Sequence, residues 1–296
     1  MITAIDLGSN SYRVVQLNCQ NFEILGEYEE TVSTADGLAN TGEISNEALD
    51  RVVNAIKNSV NKLKFEPQSA ICKTTAAMRK AKNSSYILNQ ILERTGLKFE
   101  IISGEEEARL TLLAIKQAIK RENLDETNFI MLDIGGGSCE LSICQNDYSF
   151  AKSFDFGIVT LTQGKSDINE FLNNKKLEIQ ELLSGVDLSQ TVLISTAGTP
   201  TTIAAIKVGL DYASYDRNVV NGTKVDLQDI SNFKNKLLTL SKNDIDKLVG
   251  SRRTVFMNAG ASIFSMFFEA LHKNEAIVFD DGLREGIALD WCINKL

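Results

Sequence analysis

Two short segments of the chain each combine an aspartate, a glycine bend and hydroxyl side chains. Residues 4–15 read AIDLGSNSYRVV, and residues 131–143 read MLDIGGGSCELSI. In both, an apolar strand ends near the aspartate and a second apolar strand begins after the bend. Glycine has no side chain and tolerates positive φ angles, so consecutive N–H groups in such a bend can point at one bound anion. Phosphate suits this chemistry.

The residue types in these bends predict a metal-bound phosphoanhydride as the ligand. Short polar side chains add hydrogen-bond donors, and Asp6 and Asp133 offer hard oxygen ligands through which Mg²⁺ could bridge to phosphate. One copy would fit an ordinary tight hairpin, whereas two copies in equivalent positions favour phosphate. Neither copy matches a dinucleotide fingerprint or a P-loop. The bend residues predicted to bind phosphate are Gly8, Ser9, Asn10, Ser11, Gly135, Gly136, Gly137 and Ser138.

The overall charge argues against polyanionic partners. The formal net charge is −8, so the molecule as a whole repels nucleic acid and anionic membrane surfaces, and we expect neither as a partner. A phosphate ligand would then need local positive charge. The densest source is KTTAAMRKAK, with Lys73, Arg79, Lys80 and Lys82, although a solvated helix face would explain this segment equally well.

Cysteine and histidine usage narrows the chemistry further. The five cysteines show no C-x-x-C spacing and mostly lie in apolar strand-like runs, which predicts reduced, buried thiols. The lone histidine, His272, argues against zinc catalysis and against Ser-His-Asp or Cys-His nucleophiles. A cytoplasmic protein is expected, because the chain shows no leader-like start and no run approaching the ~20 apolar residues of a membrane span.

The order of predicted elements repeats along the chain. Residues 1–124 are predicted to form three strands, a helix near 45–64 and then alternating strands and helices, and FIMLDIGGGS restarts this order after the polar segment 120–128. At 296 residues the chain is long enough for two domains. We therefore expect an α/β fold of two similar domains, 1–124 and 125–296, whose hairpins face an interdomain cleft. The last helix, about 281–294, could pack back on the N-terminal domain.

An acidic run, Glu105, Glu106 and Glu107, follows a Ser-Gly turn at a predicted helix start. Acids at a helix N-terminus are usually partners of the helix dipole. A carboxylate in this position is also expected to stay ionised, as a base that activates water must. Taken alone, the run favours the dipole interpretation.

Five motifs together resemble one known family. AIDLGSNSYRVV, TTAAMRKAKN, IISGEEEARL, LDIGGGSCEL and DDGLREG, in this order and nearly end to end, closely resemble the exopolyphosphatase and guanosine pentaphosphate phosphohydrolase (Ppx/GppA) family. The resemblance implies ribonuclease-H-like domains of the actin, sugar-kinase and heat-shock-chaperone superfamily. It also implies polyphosphate or guanosine pentaphosphate as the substrate and Mg²⁺ as the cofactor.

The resemblance further implies roles for single residues. Glu107, the second glutamate of G-x-E-E-A-R, would be the catalytic base, with Glu106 as its neighbour. Asp133 and Glu140 would organise magnesium and water, and Asp6 would belong to the first phosphate loop. Arg13 and Arg79 would contact the substrate phosphates. The predicted metal residues are thus Asp6, Asp133 and Glu140.

The chain departs from the family pattern in two places. The family often carries an arginine before the first long helix, whereas this chain has Ser33 and Thr34 in TVSTADGL, so one cationic contact is missing. The longer members append a helical, histidine-containing metal-dependent phosphohydrolase domain. Because this chain ends at Leu296, the short two-domain form is expected.

Two other functions stay open at this stage. An acetate- or sugar-kinase-like enzyme of the same superfamily could hold ATP in the same loops, with AGTPTT, residues 197–202, as a nucleotide contact or as a plain structural helix start. A weakly catalytic module could instead sense polyphosphate or an alarmone and transmit lobe closure. The choice between polyphosphate and guanosine pentaphosphate is also open. So is a homodimer, because VFMNAGASIFSMFFEAL, residues 255–271, could supply an interface or a core helix.

Overall fold

The first half of the chain forms a five-stranded sheet with helices packed on it. The computed structural model describes residues 1–124, 128–145, 148–164 and 167–295. The strands are β1 (Ile2–Leu7), β2 (Ser11–Leu17), β3 (Ile24–Thr31), β4 (Ile71–Thr74) and β5 (Phe99–Ile101). The helices are α1 (Leu38–Thr41), α2 (Asn46–Leu63), α3 (Ala76–Lys80), α4 (Ser84–Thr95) and α5 (Gly104–Arg121). The strand order is β3-β2-β1-β4-β5, antiparallel from β3 to β1 and parallel from β1 to β5.

The second half repeats this arrangement and adds an edge strand that the sequence did not predict. Its strands are β6 (Phe129–Ile134), β7 (Cys139–Gln145), β8 (Tyr148–Phe154), β9 (Val192–Thr196), β10 (Thr223–Asp226) and β11 (Glu275–Val278). Its helices are α6 (Ile158–Gln163), α7 (Ile168–Leu182), α8 (Gly198–Lys207), α9 (Arg217–Val220), α10 (Leu227–Thr239), α11 (Lys242–Val249), α12 (Thr254–Ala270) and α13 (Leu283–Lys295). The strand order is β8-β7-β6-β9-β11-β10, in which β10 is the addition and pairs antiparallel with β11.

The two sheets carry the same hairpin in the same register. Asp6 pairs with Arg13 across β1 and β2, and Asp133 pairs with Glu140 across β6 and β7. Each aspartate is the penultimate residue of its strand. This register confirms the predicted α/β class and the internal repeat. The boundary between 1–124 and 125–296 stays a prediction, because residues 125–127 lie outside the described part of the chain.

The long apolar stretch 255–271 forms the core helix α12. Phe264, Phe267 and Phe268 are fully buried, and Phe267 packs against Phe154 and Phe156 of the second half. The stretch therefore fills the core of this half. Of the two interpretations offered by the sequence, an interface or a core helix, the structure shows the core helix. Among the described residues, neither this helix nor another is long and apolar enough to cross a membrane.

Helix α5 packs on the second sheet, and the last helix lies between α5 and the first sheet. Although α5 ends the first half, it packs on β6, β7 and β8 of the second. Helix α13 packs on α5, β1 and β2. A Cβ on Gly286 would lie 2.0 Å from the carbonyl oxygen of Leu110, so this close approach of α13 to α5 requires glycine. An ion pair between Arg109 and Asp290 at 2.9 Å adds to the contact.

The cysteines depart from the sequence prediction. Cys19 and Cys292 are joined by a disulfide, which ties the residues after β2 to α13. The prediction of five reduced thiols was therefore wrong for this pair, because 273 residues separate the two cysteines and only the packing of α13 brings them together. Cys72 and Cys139 are free and buried, and Cys144 is free and half-buried.

Candidate active site

The first glycine bend is held from behind by a neighbouring loop. The Ser9 carbonyl accepts a hydrogen bond from the Ala35 N–H at 2.9 Å, and the Asn10 carbonyl accepts one from the Ser33 N–H at 2.8 Å. In a planar trans peptide the N–H of the next residue points away from the carbonyl, so the Asn10 N–H is turned toward the second bend. Ser33, found where the family often has an arginine, thus supports the bend through its backbone.

The second bend is held in the same way by the start of α6. The carbonyls of Gly135 and Gly136 accept hydrogen bonds from the N–H groups of Ile158, at 3.1 Å, and Val159, at 2.8 Å. By the same peptide geometry the N–H groups of Gly136 and Gly137 point the other way. Within the described residues these two N–H groups form no hydrogen bond, so they are available to an anion.

The two bends touch each other at one wall of a single cleft. A Cβ on Gly136 would lie 2.9 Å from the Ser9 Cβ, and a Cβ on Gly137 would lie 2.5 Å from the Ser9 Oγ and 2.9 Å from the Ala76 Cβ. These glycines are therefore required by the approach of the two halves. The predicted site residues that line this cleft are Asp6, Gly8, Ser9, Asn10, Ser11, Arg13, Glu107, Asp133, Gly135, Gly136, Gly137 and Ser138.

Glu107 lies in the first turn of α5 with its carboxylate in the cleft. Ser103 caps the helix, accepting a hydrogen bond from the Glu106 N–H at 3.1 Å. The Glu107 side chain is 10% exposed, and its Oε2 accepts a hydrogen bond from Arg79 at 2.9 Å. Burial raises the pKa of Glu107 to about 8 even though Arg79 acts to lower it. Desolvation thus acts against the ionisation that the helix start was expected to favour and outweighs the local positive charges.

Glu106 does not reach the cleft. Consecutive residues of an α-helix differ by about 100° in direction, so Glu106 and Glu107 cannot face the same space. Glu106 forms a two-point ion pair with Arg109, at 2.8 Å for both contacts, and lines a surface groove beside Trp291. The structure does not bring it into the cleft with Glu107, so its role as a catalytic neighbour stays a prediction, and the helix-dipole interpretation suits its position better.

Of the two arginines predicted to contact phosphate, Arg13 lines the cleft and Arg79 does not. Arg79 donates two hydrogen bonds from Nη1, to Glu107 at 2.9 Å and to the Ile102 carbonyl at 2.8 Å. Its guanidinium therefore contacts the candidate base. Arg13 lines the cleft, as predicted, and is paired with Glu29 at 3.4 Å.

The sequence analysis missed Arg253, which also lines the cleft. Its Nη2 donates to the Thr202 Oγ1 at 2.8 Å and to the Gly198 carbonyl. A Cβ on Gly198 would lie 2.7 Å from this Nη2 and 3.9 Å from a guanidinium nitrogen of Arg13, so both arginines approach the start of α8. The available signal was the adjacent pair Arg252 and Arg253 directly before an apolar helix.

The three predicted metal residues do not form one cluster. Within residues 1–124, 128–145, 148–164 and 167–295, no group of three or more His, Cys, Asp or Glu side chains is placed to hold a metal ion. Asp6 and Asp133 line the cleft. Glu140 is fully buried behind it and accepts a hydrogen bond from Ser153 at 2.8 Å. Burial, followed by the charges of Glu107 and Asp133, raises the pKa of Glu140 well above its ordinary value.

The fold and the cleft define a class of protein: two similar α/β halves whose glycine bends meet beside a buried carboxylate. A sequence model of the Ppx/GppA phosphatase family matches residues 13–295. The chain belongs to the Ppx/GppA phosphatase family, as its motifs predicted.

Curated relatives are similar in sequence to this chain over nearly its whole length. The bifunctional 3-dehydroquinate synthase/phosphatase of Fusobacterium nucleatum is 26% identical over 99% of this chain, which covers 46% of that protein. The guanosine-5'-triphosphate,3'-diphosphate pyrophosphatase of Pseudoalteromonas atlantica is 26% identical over 97% of this chain, which covers 58% of it. The chain thus spans about half the length of these two relatives. Among solved structures, a Ppx/GppA family member from Aquifex aeolicus superposes with a TM-score of 0.75 at 26% identity, covering 99% of this chain and 98% of that one.

Proposed function

We propose that this chain hydrolyses phosphoanhydrides and releases the terminal orthophosphate of inorganic polyphosphate or guanosine pentaphosphate. The observation that carries the proposal is that Glu107 lies in the same cleft as Gly8 and Gly136, one from each bend. Membership of the Ppx/GppA phosphatase family supports a phosphatase. A guanosine-5'-triphosphate,3'-diphosphate pyrophosphatase among the relatives supports this substrate class.

The proposed reaction is attack of water on the terminal phosphorus. Ionised Glu107 accepts a proton from water as the water oxygen bonds to phosphorus, and the bond from phosphorus to the bridging oxygen breaks. The shortened phosphate chain leaves with that oxygen. Amide groups of the two bends bind the phosphoryl oxygens and stabilise the charge that they carry in the transition state. Arg79 favours the ionised form of Glu107.

Asp6 and Asp133 fit a magnesium ion. The Asp6 Oδ1 is buried and has no hydrogen-bond partner among the described residues, and Asp6 lines the cleft together with Asp133. Mg²⁺ is usually bound by one or two carboxylates together with substrate phosphates and water. We infer that these two carboxylates hold Mg²⁺, which would neutralise negative charge on the substrate phosphates. Glu140, which is buried behind the cleft, would help to organise the ion and water from there.

The test compares Glu107→Gln with the matched variant Glu106→Gln. With polyphosphate or guanosine pentaphosphate, Mg²⁺ and water as the sole acceptor, Glu107→Gln should lose phosphate release by at least about two orders of magnitude. Glu106→Gln should keep wild-type rates, because its carboxylate lies outside the cleft. Near-normal turnover by a folded Glu107→Gln protein would remove Glu107 from the mechanism. A wild-type protein that transfers phosphate from ATP to an added acceptor and not to water would be a kinase instead.

A further inference from the structure

Lys80 joins the two halves of the molecule behind the second glycine bend. It is the last residue of α3 in the first half. Its ammonium donates to the Gly137 carbonyl at 3.0 Å and to the Asp155 carbonyl at 3.4 Å, both in the second half. An ion pair with the Asp155 carboxylate at 3.4 Å accompanies these contacts. Because the Asp155 side chain is 87% exposed, water screens that pair, and it contributes little.

The Gly137 carbonyl differs from the two carbonyls that precede it. Those of Gly135 and Gly136 are held by backbone N–H groups of α6, which belongs to the same half. Within the described residues, the Gly137 carbonyl accepts a side-chain hydrogen bond from Lys80 alone, and Lys80 comes from the opposite half. The orientation of the peptide group between Gly137 and Ser138 therefore depends on the approach of the two halves.

That peptide group carries the N–H of Ser138, a cleft residue. When Lys80 binds the carbonyl, planarity of the peptide turns this N–H away from Lys80, and the cleft is lined by Ser138 and not by Lys80. An amide held in advance at the site of developing charge stabilises a transition state more than one that must first rotate. The ammonium of Lys80 itself does not line the cleft.

We propose that Lys80 is a positioning residue that couples closure of the two halves to the orientation of the Ser138 N–H. This inference rests on the proposed hydrolase function. The basic segment 73–82 suggested that its lysines contact phosphate directly. The role inferred here for Lys80 is different, because its ammonium is bound to carbonyl groups. Lys82, two residues further on, is exposed and lies beside Gly42, and it provides a matched control.

The kinetic test uses Lys80→Met, Lys80→Arg and the control Lys82→Met. Loss of one charge-assisted hydrogen bond that acts in the transition state should lower kcat about tenfold, with KM changed by less than about threefold. Lys80→Arg, which keeps a cationic donor, should recover most of kcat, and Lys82→Met should match wild type. A rise in KM at unchanged kcat would show direct substrate binding by Lys80 and overturn the proposal, as would unchanged kinetics in Lys80→Met.

Two further measurements separate this inference from the proposed function. Small-angle X-ray scattering in the absence of substrate should show a larger radius of gyration for Lys80→Met than for wild type and Lys82→Met. Equal radii would contradict the link between the halves even if the wild type hydrolysed neither substrate. Lys80→Gln, which retains a neutral donor, gives a second variant if Lys80→Met folds poorly, and it should fall between wild type and Lys80→Met in kcat.

Discussion

Arg79 Nη1 lies 2.9 Å from Glu107 Oε2 and 2.8 Å from the carbonyl oxygen of Ile102. The guanidinium is therefore fixed between the backbone before α5 and the carboxylate on its first turn. Arg79 comes from α3 and Glu107 from α5, so the protonation of the candidate base depends on how these two helices pack.

This relationship predicts the pH dependence of turnover. Burial raises the pKa of Glu107 to about 8, and Arg79 acts against that rise. A base must be ionised, so kcat/KM should increase with pH as Glu107 loses its proton. Arg79→Met removes the opposing charge, so the acid limb of its pH–rate profile should lie at higher pH than that of wild type at the same Mg²⁺ concentration. Arg109→Met, which removes the partner of Glu106, is the control and should leave the limb in place. An unshifted limb in Arg79→Met would contradict the assignment.

Magnesium binding should be visible without turnover. The Asp6 Oδ1, which lacks a hydrogen-bond partner in the described part of the chain, predicts that Mg²⁺ raises the melting temperature of wild type, because a ligand that binds the folded state stabilises it. Asp6→Asn should lose most of this rise. Asp50→Asn, on the exposed face of α2 and paired with Arg94, should respond as wild type does. Equal responses from all three proteins in differential scanning calorimetry would argue against a metal at Asp6.

Glu285 should stabilise the protein at neutral pH and lose that effect in acid. Burial would raise its pKa, but Arg284 and Arg217 lower it to about 2 from an ordinary value of 4.5. Its contribution is therefore complete above the unfolded-state pKa and is lost as the pH falls through about 2, with a size of about 3 kcal/mol. The difference in unfolding free energy between wild type and Glu285→Gln should shrink as urea denaturation is repeated from pH 6 down to pH 3. Glu93→Gln, on an exposed part of α4, should show a small difference at every pH.

The disulfide between Cys19 and Cys292 should stabilise the packing of α13. Cross-links that close long loops typically contribute about 2–4 kcal/mol, so reduction should lower the melting temperature by roughly 3–6 °C for a chain of this size. The effect of reductant should vanish in Cys19→Ser and persist in Cys144→Ser, whose cysteine is free. A thiol titration of the unfolded protein without reductant should find three reactive cysteines. Five reactive thiols would show that Cys19 and Cys292 are not bonded.

The repeated hairpins were predictable because their signals are local. Alternating apolar residues and a glycine bend place Asp6 and Asp133 near strand ends in any context, and the structure pairs both strands as expected. The choice between Glu106 and Glu107 was not predictable from the residues themselves. It depends on which side of α5 faces the second half, and this is a property of helix packing.

By itself, the sequence determined the α/β class and the internal repeat and predicted phosphate as the ligand of the bends, because each follows from residue type and short-range spacing. Only the tertiary structure decided which side chains meet across the chain. Arg253 reaches the cleft, Lys80 crosses to Gly137, and burial moves the pKa of Glu107 upward. These outcomes depend on distances between distant segments and on exclusion of water, and neither quantity is encoded in local spacing.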